Sequence, residues 1–171
     1  DILDNIDLKI KKNPNDSDSY YDKAIILHTI LKEDEFAYYY VNKAIEIQKQ
    51  SKYLLLKSQL VQDKNKQLNL INEAVKLNPI GNSDVYIARA DYYYDEDNYD
   101  NALQDYLKAL KYGSKTEDYA EQIGWCYFEL EDFEQSLKYF VISNNIGGQA
   151  DSLLNLGRYK EALELYKQII G

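Results

Sequence analysis

The chain has 171 residues, 45% hydrophobic and 29% charged, a balance typical of folded chains and foreign to disordered ones. No apolar run nears the roughly 20 residues that cross a bilayer, and a net charge of -9 repels phosphate backbones and anionic lipid while favouring cationic partners. Disorder, membrane insertion and nucleic-acid binding are set aside on these grounds, and the lone Cys126 leaves no internal disulfide and no cysteine-based metal cluster.

Apolar and small residues recur at three- and four-residue steps, with no alternating run, and this period predicts eleven helices and no strand. In chain order they span 1–12, 18–31, 34–48, 51–61, 65–77, 83–96, 99–112, 116–130, 133–143, 148–156 and 159–170. The breaks carry turn residues: Asn13-Pro14, Asn78-Pro79-Ile80-Gly81, Gly113-Ser114 and Gly157. Gly113 is placed to end its helix in the left-handed conformation, and Ser114-Lys115-Thr116-Glu117 reads as a capping box for the next helix. Connections this short force neighbours antiparallel. The expected organisation is one domain over 1–171, with a leading helix (1–14) of an incomplete repeat followed by hairpins 17–48, 49–81, 82–114, 115–145 and 146–171.

One pattern recurs along the second helices of these hairpins. Ala37 and Ala44 stand among Tyr38, Tyr39 and Tyr40; Tyr99, Ala102, Tyr106 and Ala109 follow the same spacing; Phe133, Ser136 and Phe140, then Tyr159, Ala162 and Tyr166, repeat it. The equivalent sites Ala44, Ala74, Ala109, Ser143 and Ile169 are 30, 35, 34 and 26 residues apart. The last interval is short, and the segment Asn144-Asn145-Ile146-Gly147-Gly148 lies where the shortening falls, so the final hairpin is expected to have a stunted first helix. Gly147-Gly148 lacks the Lys and Ser/Thr of a phosphate-binding loop and reads as a connection.

These residues resemble the tetratricopeptide repeat family, whose unit is about 34 residues and whose second helix carries aromatic, Ala, aromatic and Ala at the spacing of Tyr99, Ala102, Tyr106 and Ala109. Its first-helix signature is matched by Gly124 with Tyr127, by Ala90 with Tyr93 and Tyr86 upstream, and by Tyr21 with Ile25 and His28. Pro14 and Pro79 stand where the family closes a repeat, whereas the 51–80 segment departs, keeping Ala74 but placing Gln67 at a small-residue site. The resemblance implies an all-α, right-handed superhelical array (solenoid) of about five antiparallel helical hairpins with the first helices lining the inside. It also implies a non-enzymatic scaffold or adaptor for protein-protein interaction.

Little in the chain suggests catalysis. His28, the only histidine, falls where it faces a hairpin core, and no Ser-His-Asp trio accompanies it. Asp91, Asp95, Glu96 and Asp97 crowd like a cation site but lack the Gly-centred calcium loop, so no metal and no cofactor is assigned. Arg89 occupies a site that is usually apolar in such repeats and is expected to pair with Asp105 across its hairpin.

Projected on a helix, Asp84, Ile87, Asp91, Tyr94 and Asp95 form one stripe, and Asp118, Glu121, Trp125, Phe128 and Glu129 form another one hairpin later. Side by side, the stripes make an acidic, aromatic groove suited to an extended peptide that carries Lys or Arg beside an apolar anchor. The competing expectation packs Trp125 between helices and leaves the acids as solubilising surface charge. The basic, Asn-rich clamp by which family members hold chaperone carboxylate tails is missing: the first hairpin offers Asp22 and Ile26, with only Lys49 and Lys52 nearby. The alternatives to an adaptor are a structural spacer or oligomerisation segment, with end-to-end association through Ile169 and Ile170, and a regulatory module of a larger protein. The chain starts at Asp1 and holds no methionine, which leaves its compartment open, cytoplasmic by default.

Overall fold

The computed structural model describes residues 2–170 and contains, among them, eleven α-helices and no strand. They are α1 (Ile2–Lys12), α2 (Ser17–Ile26), α3 (Asp34–Ile47), α4 (Ser51–Gln59), α5 (Lys64–Leu77), α6 (Ser83–Asp95), α7 (Tyr99–Lys111), α8 (Thr116–Glu129), α9 (Phe133–Ile142), α10 (Ile146–Asn155) and α11 (Tyr159–Ile170). A single π turn, Leu27–Leu31, prolongs α2 and stops at Lys32, which takes the left-handed conformation. His28 sits in that turn, half-buried, its Nδ1 2.7 Å from a carboxylate oxygen of Asp34 at the start of α3. The histidine thus fastens the tip of the hairpin.

Two compact units divide the chain, Asp1–Pro79 and Ile80–Gly171. In the first, α1 packs on α2, α2 pairs with α3, α4 pairs with α5, and α3 lies on α4. Ala24, Ala37, Val41, Ala44 and Tyr53 are all completely buried there, the small side chains letting helix backbones approach while the large ones fill the space beside them. The second unit consists of the hairpins α6/α7, α8/α9 and α10/α11, joined by packing of α7 on α8 and α9 on α10. Ala90, Ala102, Tyr106, Ala109, Ser136 and Phe140 are completely buried, Gly124 and Ala162 are buried as well, and in the first unit so is Ala74. Tyr86 is buried; Tyr93, Tyr99, Tyr127, Phe133 and Tyr166 are half-buried; Tyr159 is exposed, as Tyr38 and Tyr39 are in the first unit.

The shortened last hairpin has a physical reason that is not visible in its spacing. Gly148 belongs to the first turn of α10 rather than to a connection, and a Cβ built there would lie 2.6 Å from the Phe140 ring. Gly124 on α8 flanks the same ring, where a Cβ would lie 2.9 Å away. Phe140 of α9 is therefore held between two glycine notches, and α10 closes on it early. Its 10 residues compare with 14 in α8, and α9 also stops short, with 10 residues against 13 in α7.

The capping box expected at Ser114–Glu117 does not form. Lys115 is the N-cap of α8 and no side chain caps it. Ser114 serves the preceding helix, its N–H donating to the Ala109 carbonyl at 3.1 Å, beside Gly113 at φ +107°. Side-chain caps do occur at Asp63, Asn82, Asn98, Asp132 and Asn145. The expected ion pair is present: Arg89 donates from Nε and a terminal nitrogen to both oxygens of Asp105, at 2.6 and 2.9 Å.

Candidate functional site

The second unit holds eight of the chain's twenty Lys and Arg residues and seventeen of its twenty-nine Asp and Glu residues, so it carries the entire net charge of -9. Of its cations, Arg89 is bound to Asp105, Arg158 to Glu161 and Lys167 to Glu164. The excess carboxylates gather on α6 and α8. Asp84, Asp91, Asp95, Asp118, Glu121 and Glu129 are all exposed, as their three- and four-residue spacing requires.

Two tyrosines record how the stripes meet. Tyr119 of α8 stacks on Tyr106 of α7 with centroids 5.9 Å apart, and its hydroxyl is raised above the ordinary phenol pKa by burial and by the charges of Asp91, Asp118 and Asp84. Tyr94 of α6 is raised likewise, by burial first and then by Cys126, Glu121, Glu129 and Asp95. Asp91 of α6 and Tyr119 of α8 thus both meet Tyr106 of α7, the first through a hydrogen bond and the second by ring stacking.

Part of that face is locked. Asp91 accepts a 2.7 Å hydrogen bond from the Tyr106 hydroxyl; the protein crowded around its carboxyl raises its pKa, Tyr106 opposes this, and Asp95 adds repulsion. Glu121 accepts from Asn145 Nδ2 at 2.8 Å, and the same Asn145 caps α10 through its oxygen. Asp84, Asp95, Asp118 and Glu129 make no ion pair among the described residues.

The aromatic residues of the stripes are shared between packing and surface. Ile87 and Tyr94 lean on the α6/α7/α8 core, Tyr94 meeting Tyr99 edge-on at 5.7 Å. Trp125 contacts Phe128 at 5.5 Å and Phe140 at 4.9 Å, and Phe128 in turn meets Phe133 at 5.3 Å. Trp125 packs between helices as the competing expectation had it, yet it and Phe128 each stay partly exposed next to Glu129. Tyr119 and Asn145, absent from the sequence-derived set, are the residues that tie the face together.

The corresponding surface of the first unit is neutralised. Lys52 donates to Asp18, which Tyr53 also engages at 2.8 Å, and the Asp18 pKa is held down by Lys52 first and Tyr53 second. Lys49 is bound to Glu73. Both lysines near that surface are thus occupied.

Cys126 of α8 offers no exposed thiol. Cys126 is completely buried and burial pushes its thiol up to about 12. In the native protein it is expected to resist a maleimide reagent at mildly alkaline pH and to react once denaturant is added. Rapid labelling with native circular dichroism retained would contradict the burial.

Residues 87–141 match the family model for the tetratricopeptide repeat. No curated protein matches the sequence. Among solved structures, that of YrrB, described as a TPR protein with an unusual peptide-binding site, superposes with a TM-score of 0.81 at 15% identity, over 96% of this chain and 90% of that one. MamA superposes with a TM-score of 0.73 at 17% identity, over 88% of each chain. A tetratricopeptide repeat protein from Parabacteroides merdae gives 0.69 at 16% identity, over 98% of this chain and 71% of the other. At such identities the likeness establishes the fold.

Proposed function

We propose that this chain, which has the fold of tetratricopeptide repeat proteins and matches their family model over residues 87–141, serves protein-protein interaction and holds a cationic peptide with an apolar anchor against the α6/α8 face. The observation that supports this reading is the run of contacts from Asp91 of α6 through Tyr106 of α7 to Tyr119 of α8, in the unit that holds all the net negative charge. Asp84, Asp95, Asp118 and Glu129 attract Lys or Arg side chains, while Trp125, Phe128 and Tyr94 supply apolar area and ring faces for a cation. Asp91 and Glu121, fixed by Tyr106 and Asn145, act as pre-oriented acceptors that lose little freedom on binding. The peptide-binding site described for YrrB, a protein of the same fold, supports a peptide as the ligand class.

Calorimetric titration with a synthetic peptide of Lys and Arg around one Leu or Phe tests the reading. Reversing Asp84 and Asp118 to Lys is expected to weaken binding at least about tenfold without unfolding, because neither side chain holds the protein together. Added salt weakens it too. Acid does the same, and the raised Asp91 gains its proton at a higher pH than an ordinary carboxylate would. Equal affinity in the reversed variant, or binding of a Glu-substituted peptide, removes the proposal.

A further inference from the structure

Within the second unit, a hollow of about 510 Å³ lies between α9 and α11 with α10 as its floor, and it shares no residue with the α6/α8 stripes. Leu137 and Val141 of α9, Leu153 of α10 and Leu165 of α11 line it with apolar surface. The charges at its rim are paired among themselves. Arg158 donates from Nε and a terminal nitrogen to both oxygens of Glu161, at 2.7 and 2.6 Å, and Lys167 donates to Glu164 at 2.8 Å. Lys160 is the remaining rim cation, exposed and without an ion pair among the described residues.

The preceding hairpin shows why there is room here. The offset of 26 residues that takes Phe133 to Tyr159 also takes Tyr127 to Leu153 and Tyr139 to Leu165. The backbone keeps this register: the Asp132 N–H donates to the Tyr127 carbonyl and the Arg158 N–H to the Leu153 carbonyl, each at 2.9 Å. Tyr127 and Tyr139 stack with centroids 5.5 Å apart, so two rings fill the space beside α8 and α9. Leu153 and Leu165 place aliphatic side chains at the matching positions, and a space of aromatic size stays open. From this we infer that the α9/α11 groove takes an aromatic side chain, Phe or Trp, from a segment of a partner protein. The internally paired rim places no charge requirement on the residues flanking that ring, while the Lys160 ammonium suits a ring face better than an aliphatic chain. The hollow falls within the roughly 300–1,000 Å³ of ligand pockets and exceeds one ring, so neighbours of the ring enter with it, which favours a stretch of chain over a small molecule. The unit then offers two sites of different chemistry, acidic on α6/α8 and uncharged on α9/α11, and can join two partners.

Titration with a capped, uncharged peptide, one Trp among Gln, Ser and Ala, tests this by amide and methyl chemical shifts. Leu137, Val141, Leu153 and Leu165 should be perturbed, and added salt should not weaken binding. Ala in place of the peptide's Trp should weaken it at least about tenfold. Leu153→Tyr/Leu165→Tyr, which installs the ring pair of the preceding hairpin, should lose binding by at least about tenfold while keeping native circular dichroism. Val141→Asp, at a position 55% exposed, should weaken binding without depending on that repacking. Leu163→Asp, also exposed but outside the hollow, should bind like the wild type. No shifts in the wild type, unchanged affinity in either groove variant, or loss in Leu163→Asp would overturn the inference. So would shifts centred on Trp125, which would put the ring on the α6/α8 face, equal affinity for N-acetyltryptophanamide, which would make a small molecule the occupant, or the same shifts on raising protein concentration alone, which would make it a second copy.

Discussion

Phe140→Ala is expected to destabilise the second unit by about 3–5 kcal/mol, the range for truncating a completely buried aromatic side chain that leaves a cavity. The ring is the common contact of three helices: Gly124 of α8 and Gly148 of α10 abut its two sides, and Trp125 meets it at 4.9 Å. Gly148→Ala supplies the complementary test. In a helix interior, Ala for Gly ordinarily adds roughly 0.5–1 kcal/mol of stability. Here the new methyl would lie 2.6 Å from the ring, so a net loss of about 1–3 kcal/mol is expected instead. A smaller side chain at the ring position relieves that clash, and Phe140→Leu/Gly148→Ala should cost less than the sum of its parts. Urea unfolding followed by emission of Trp125, the only tryptophan, reports on this unit directly. A loss below about 1 kcal/mol for Phe140→Ala would mean that the three-helix contact is not what joins these hairpins.

Removing one member of the Arg89–Asp105 pair should be nearly as costly. Asp105 is 3% exposed and holds the guanidinium in a two-point contact, with Asp105 the leading cause of a raised Arg89 pKa. Asp105→Ala leaves that cation without its carboxylate, at an expected cost of about 3–5 kcal/mol, toward the low end because 19% of the Arg89 side chain still reaches water. Replacing both residues with Leu and Met removes the desolvation cost together with the attraction, and the double variant should be more stable than the single. If the single and double variants lose equally, the pair is a surface ornament with no buried charge at stake.

Most of the architecture was legible because its cause is local. Alanine and tyrosine at fixed offsets set each helix to within two residues of its observed bounds, provided α2 is counted with the π turn that prolongs it to Leu31, and the oddity of Arg89 at an apolar site pointed to Asp105. What escaped depends on contacts between helices. Gly148 looks like a break until the Phe140 ring, carried in by α9, makes use of its missing side chain. Ser114 resembles a cap until its N–H is taken by the end of α7. The six acids of the face could be placed on the surface from spacing alone, but not their partners: Asp91–Tyr106 arises from a register across a hairpin, and Glu121–Asn145 from a contact with the following one. The first of these did leave a trace, since Asp151 and Tyr166 repeat the same fifteen-residue offset in the last hairpin. The partition of charge between the two units becomes visible only once their boundary at Pro79 is known.

Amide chemical-shift mapping during titration with the Lys- and Arg-bearing peptide tests the central claim most directly. The perturbed residues should cluster on Asp84 to Asp95 and Asp118 to Glu129, with the Trp125 indole among the largest shifts. Perturbations centred on the first unit, on α11, or nowhere would contradict the assignment of the α6/α8 face.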